Sequence, residues 1–236
     1  MEFSGRSIVL TGVGRPGQVG EAVALAFAQQ GARVFLVDRQ ETEARARAEA
    51  LVAQGLRAAS LAADLTDPAA VAALADRLRD ATNGRIYALV HLAGGFSMSG
   101  PVAESDPAEW SRLFAINATT AYLTARAFLP LLRATKGAAV FFASEAALAG
   151  ARAGGRAAYA AAKGAVVTLV HAIAEEEREH GVRANAVAPA SIRTADNLAA
   201  MGSDTPMVTR EAVADVVLWL CSDAARAVTG QVVAVR

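Results

Sequence analysis

The sequence predicts an α/β fold: a doubly wound, seven-stranded parallel sheet with helices on both faces, closed as one domain over residues 1–236. Three observations predict it. Short apolar runs alternate with longer helical stretches along the whole chain, the pattern of a parallel sheet joined by crossover helices. The first such unit is a strand, a glycine-rich turn and a helix, in that order. No Ser/Gly/Pro-rich linker and no internal repeat divides the chain.

The first strand, 7–11, is Ser7-Ile8-Val9-Leu10-Thr11, short and apolar enough for a strand covered on both faces. It runs into Gly12-Val13-Gly14-Arg15-Pro16-Gly17-Gln18-Val19-Gly20, and a helix at 19–30 follows with apolar residues at helical spacing. Such a unit binds the phosphates of dinucleotides. The glycines let the backbone approach a pyrophosphate, and the helix N-terminus offers N–H donors and a positive dipole. The strand at 33–38 ends in Asp38, 18 residues beyond Gly20, the spacing expected of an acid that accepts ribose hydroxyls. A helix at 41–54 and a strand at 57–62 follow. The helices at 68–81 and 107–134 open on Asp67-Pro68 and Asp106-Pro107, each an N-cap acid before a proline at the first helical position. Strands at 86–92, 138–143, 183–188 and 231–235 and helices at 157–180 and 209–222 complete the alternation.

Ligands of open parallel sheets bind beyond the carboxyl ends of the strands. Those ends carry Gly12 to Gly20, Asp38, Asp64-Leu65, Ala93-Gly94-Gly95, Ser144 and Pro189-Ala190-Ser191-Ile192-Arg193-Thr194. Polar and glycine-rich residues thus collect on one edge. Four residues apart in the helix at 157–180 stand Tyr159 and Lys163, on one helical face. A cation beside a phenol favours the phenolate and suits it to acid–base chemistry near neutral pH.

Lys+Arg and Asp+Glu are both 23, so no global field draws the chain to nucleic acid or to membranes. Only Lys136 and Lys163 are lysine, which makes a lysine beside that phenol more notable. The single cysteine, Cys221, excludes an intramolecular disulfide and reads as a small buried residue. No apolar run of about 18 residues and no secretory leader is evident, so the expected location is cytoplasmic and no membrane span is expected. No metal-ligand constellation is expected.

These residues together resemble the short-chain dehydrogenase/reductase family, from Ser7 to Val235. Tyr159-x-x-x-Lys163 matches the signature pair, Asn117 in Phe114-Ala115-Ile116-Asn117 the family asparagine, and Asp64 the aspartate that contacts adenine. Val182 to Pro189 is similar to the sixth strand, Ile192 and Thr194 to the residues that hold the nicotinamide carboxamide, and Val228-Thr229-Gly230-Gln231-Val232 to the last turn. The resemblance implies a single-domain Rossmann fold and hydride transfer between a nicotinamide and a secondary alcohol or ketone, 3-oxoacyl compounds included. It implies Tyr159 as acid–base and Lys163 on the nicotinamide ribose. Asn117 would hold a relay water, and Ser144 would bond the substrate oxygen. The implied cofactor set is Gly12, Gly14, Gly17, Gln18, Val19, Asp38, Asp64, Leu65, Ala93, Gly94, Gly95, Tyr159, Lys163, Pro189, Ile192 and Thr194. Asp38 favours NAD, while Arg15 and Arg39 leave NADP open. A homodimer or homotetramer is expected.

Three departures from the family pattern stand out. The glycine turn is two residues longer, with Gln18 where the middle glycine falls and Gly17 able to take its role. His91-Leu92-Ala93-Gly94 replaces Asn-Asn-Ala-Gly, and His91 reads as structural. Ser144 precedes Tyr159 by 15 residues rather than 13, with Ala146 at the usual spacing. The segment 195–207 reads as a short lid, and Phe96, Met98, Leu148, Met201 and Met207 as pocket lining. Arg152, Arg156 and Arg193 leave recognition of a carboxylate or phosphate open. Two further readings are a dihydropteridine-reductase-like enzyme, which uses the Tyr/Lys pair without the serine, and a dinucleotide-binding sensor that catalyses nothing.

Overall fold

The computed structural model describes residues 1–236. Seven parallel strands form one sheet: β1 Ser7–Thr11, β2 Arg33–Asp38, β3 Arg57–Ala62, β4 Ala88–His91, β5 Ala138–Phe142, β6 Arg183–Pro189 and β7 Val232–Val235. Their order in the sheet is β3-β2-β1-β4-β5-β6-β7, so the chain winds outward from β1 in one direction and then from β4 in the other. The reversal lies between β1 and β4, where Thr11 pairs with His91. A crevice opens there beyond the strand ends.

Alternation within each strand sends side chains to two cores. Val9, Phe35, Leu89 and Phe141 pack on one face against the helices Pro68–Thr82, Thr120–Arg133 and Ala157–Glu176, and Ile8, Leu10, Leu36 and Val140 on the other against Val19–Gln29 and Arg210–Cys221. These helices are α1 Val19–Gln29, α2 Glu41–Val52, α3 Pro68–Thr82, α4 Pro107–Phe114, α5 Thr120–Arg133, α6 Ala157–Glu176, α7 Ala195–Met201 and α8 Arg210–Cys221. Asp67 and Asp106 cap α3 and α4 as expected, accepting from the amides of Ala69 and Ala108 at 2.9 and 2.8 Å.

Two expected helices need correction, and two further features were not anticipated. The single helix at 107–134 is two helices joined by a π turn at Ala115–Thr119, with Asn117 at its centre. At this wider turn the asparagine side chain bonds out of the helix to the loop at Gly95. The helix at 157–180 ends at Glu176, after which a 3-10 turn leads into Gly181, whose φ of 73° reverses the chain. The lid segment contains a helix, α7, capped by Thr194, whose hydroxyl accepts from the Asn197 amide at 3.2 Å. Finally, α6 is long and apolar enough to cross a membrane by length and composition. Its apolar side is instead spent on the sheet, where Val166, Val170 and Ile173 are buried in the core.

Candidate active site

Tyr159 lies in the first turn of α6, and Lys163 follows one turn later. Both line a cavity of about 830 Å³ beyond the carboxyl ends of β4, β5 and β6, with Gly94, Gly95, Ser144, Pro189 and Ile192. The Tyr159 ring packs edge-on against Phe96, centroids 5.1 Å apart. Of the other expected lining residues Leu148 and Met201 are present, but Met98 and Met207 are not.

The Lys163 ammonium is buried and donates to the Phe142 carbonyl at the end of β5, 2.7 Å away. Burial brings it down to about 8. Burial also raises the Tyr159 phenol above its ordinary value, and the Ser144 side chain and the charge of Arg156 act against that rise. The Lys163 ammonium, expected to favour the ionised phenol, is bound here to a strand-end carbonyl, and the charge that opposes the rise at Tyr159 is that of Arg156. Ser144 accepts from the Ala146 amide at 3.3 Å, so its own proton is free to be donated toward the phenol or a ligand. The longer loop before Tyr159 therefore still brings Ser144 to it, and Ala146 only supplies an amide to the serine.

Asn117 is fully buried. Its Nδ2 donates to the carbonyls of Gly95 and Leu113 at 3.0 and 2.9 Å, and its Oδ1 accepts from the Gly95 amide at 3.2 Å. It clamps the loop after β4 against the helices. A Cβ on Gly94 would lie 2.5 Å from that Oδ1 and 3.2 Å from Lys163 Nζ, so only glycine lets the loop pass here. His91 is buried between two hydroxyls, with Nδ1 3.0 Å from Thr11 Oγ1 and Nε2 3.3 Å from Thr120 Oγ1. Thr120 donates its proton to the Ile116 carbonyl, so Nε2 carries the ring hydrogen and Thr11 donates to Nδ1. Burial, helped by the charge of Lys163, takes the imidazole down to about 3. It is neutral and fully bonded, the structural role expected.

The strand-end edge fits a dinucleotide. Asp38 is fixed by the Gly14 amide on Oδ2 at 2.9 Å and the Gln40 amide on Oδ1 at 3.1 Å, so its carboxylate faces the glycine turn. Gly17 has φ of 70° and turns the chain into α1, while Gln18 is extended at the N-cap with no side-chain bond to the helix. The Gly17 amide goes to Glu21 at 3.0 Å. Gln18, Val19 and Gly20 donate their amides to no protein group, and Gly20 is buried. Buried amides at a helix start without an acceptor suit a phosphate. Arg15 is engaged by Asp196 of α7 at 2.5 Å, which ties the glycine turn to the lid.

The remaining expected contacts are more local. Asp64 accepts from the amide and hydroxyl of Thr66 at 2.9 and 2.6 Å, and those bonds hold its carboxyl below the usual range. Leu65 is buried behind it. Ala93 is partly buried between Leu92 and Gly94, and Thr194 is buried at the cap of α7.

A family model described as enoyl-(acyl carrier protein) reductase matches residues 12–236. The chain is 37% identical to 2-(S)-hydroxypropyl-CoM dehydrogenase 3 of Xanthobacter autotrophicus, covering 97% of this chain and 94% of that one. A short-chain type dehydrogenase/reductase from Mycobacterium ulcerans superimposes with a TM-score of 0.90 at 30% identity, over 100% of this chain and 90% of the other. The chain belongs to the short-chain dehydrogenase/reductase family. A 3-oxoacyl-[acyl-carrier protein] reductase with bound NAD from Brucella melitensis is similar too, with a TM-score of 0.86 at 30% identity over 99% and 90% of the two chains. The protein is an oxidoreductase that acts on alcohol or ketone substrates.

Reasoning from sequence gave no individual role to three residues of this cavity. Phe142 contributes only a carbonyl, which no residue type signals. Asn197 reaches the cavity because α7 folds back, and Arg236 because β7 ends beside the loop after β5, where it pairs with Glu145 at 2.7 Å.

Proposed function

We propose that this short-chain dehydrogenase/reductase transfers hydride between NAD(H) and a secondary alcohol or ketone, with Tyr159 as general acid–base. The observation that carries the reading is the grouping of Tyr159, Ser144 and Lys163 in one cavity beyond the strand ends. The nicotinamide supplies the hydride chemistry. The protein's part is to hold the substrate oxygen between the Tyr159 and Ser144 hydroxyls and to move one proton at the phenol oxygen. Arg156 offsets part of the burial that holds the phenol protonated. Asp38 is the group for the adenosine ribose, and its carboxylate disfavours a 2′-phosphate. The NAD-bound Brucella relative supports the choice of NAD. Gln18, Val19 and Gly20 would offer amides to the pyrophosphate, Ile192 on the cavity wall would meet the carboxamide with Thr194 behind it as the cap of α7, and Asn117 positions the Gly94–Gly95 wall.

Proximity of Ser144 to the phenol favours this reading over a serine-independent pterin reductase. The Tyr159→Phe variant tests it. Turnover of a ketone panel falls by at least about 10²-fold, the scale of losing a positioned proton donor, while NADH binding measured by fluorescence titration stays within a few fold. Retained turnover refutes Tyr159 as the acid–base, and tighter binding of NADPH than NADH refutes the cofactor choice.

A further inference from the structure

We propose that the substrate carries an oxyanion, a carboxylate or sulfonate group, held by Arg152 and Arg156 on the cavity wall formed by the loop before α6. That the ligand is a substrate rests on the hydride-transfer reading above; that the wall binds an anion does not.

Four cationic side chains line the cavity, Arg152, Arg156, Lys163 and Arg236, against one carboxylate, Glu145. Glu145 is paired with Arg236, and Lys163 is bound to the Phe142 carbonyl. Arg152 and Arg156 are left with no acidic partner. The arginines around the glycine turn are matched instead: Arg15 with Asp196, and Arg47 and Arg210 with Glu21.

The two uncompensated arginines differ in how they are held. Arg156 donates from Nε and Nη2 to the Arg152 carbonyl at 3.1 and 2.6 Å, which fixes its guanidinium and the backbone of Arg152 together. Its charge already reaches Tyr159. The Arg152 guanidinium bonds to no protein group and stands exposed at the rim, with its whole fork available to an oxyanion. Helix α6 begins immediately after Arg156, with no capping side chain and no acid in its first turn, so its positive end adds to the same field. Leu148 and Met201 supply apolar wall beside them, which suits a short carbon chain between the reacting carbon and the charge.

Calorimetric titration of the NADH-loaded protein tests this. The probes are acetoacetate, 4-oxopentanoate and 5-oxohexanoate, each with its matching amide, and 3-oxobutane-1-sulfonate. At least one anion binds about tenfold or more tightly than its neutral counterpart, the effect of one charge-assisted hydrogen bond at a partly exposed site. The carboxylate and sulfonate arms show which oxyanion the wall prefers. The preference falls to within about threefold in Arg152→Gln and returns in part in Arg152→Lys, whose charge lacks the planar fork. Amides that bind as well as acids at every length, or an undiminished preference in Arg152→Gln, overturn the proposal. The two readings fail separately. An anion preference without NADH consumption leaves the anion site standing and removes hydride transfer, whereas equal reduction of acids and amides does the reverse.

Discussion

Replacing His91 by asparagine, the residue usual in the family at this place, separates a structural histidine from a catalytic one. The imidazole is buried, bonded on both nitrogens by Thr11 and Thr120, and holds its proton only below about 3. In the unfolded chain the same ring titrates near 6.5. Because the folded-state value is depressed, the unfolded chain binds more protons below about 6.5, and stability falls as the pH drops from there toward 3. Between about pH 7.5 and about pH 5 the linkage amounts to about 2 kcal/mol, from the proton uptake of the unfolded chain at about 1.36 kcal/mol per pH unit. Lys163 adds almost nothing in this range, since it is charged in both states below its value of about 8. Urea unfolding of wild type and His91→Asn at the two pH values reads the difference directly: wild type loses about 2 kcal/mol more than the variant, with carboxylate contributions cancelling. Equal losses, or an imidazole that titrates near 6.5 by NMR in the native protein, would show that the ring is not sealed between the two threonines. If His91→Asn also folds well but loses turnover, the structural assignment fails on its second count.

Other expected outcomes concern the serine and the back of the molecule. Ser144→Ala lowers kcat on the preferred ketone by about 10²-fold, as for loss of one positioned donor; steady-state rates unchanged within twofold would leave the serine a mere cap for the turn at Glu145. Glu177 is buried and takes a bidentate bond from Arg133 at 2.6 and 2.8 Å, while Arg133 is 43% exposed. Glu177→Ala therefore costs about 2 kcal/mol in urea unfolding, below the range for a fully buried pair because Arg133 keeps its water. That cost is present above the ordinary glutamate value and fades as the pH falls through the depressed value of Glu177, because the protonated acid no longer holds the guanidinium.

Much of the fold was legible because its signals are local. Strands buried on both faces have to be apolar runs, crossover helices have to be long, and Asp67-Pro68 and Asp106-Pro107 announce helix starts through one amide bond each. The glycine turn, Asp38 and the Tyr159–Lys163 pair were legible for the same reason: backbone approach and one-turn spacing are written in the chain itself. The π turn at Asn117 was not, since nothing in Ala115-Ile116-Asn117-Ala118-Thr119 breaks a helix. At that turn Asn117 bonds a loop 22 residues earlier. Likewise α7 is attached to the glycine turn through Asp196 and Ala195, 181 and 178 residues from Arg15 and Gly17.

By itself the sequence determined the order of strands and helices along the chain, the edge of the sheet where polar and glycine-rich residues collect, and the residue types on that edge. Only the tertiary structure decided which charges meet there. It sent the Lys163 ammonium to the Phe142 carbonyl, gave Arg156 the influence on Tyr159, satisfied Glu145 with Arg236, and left Arg152 unmatched. The physical reason is range. Secondary structure follows from spacing over a few residues, whereas the state of an ionisable group depends on burial and on partners that arrive from distant parts of the chain.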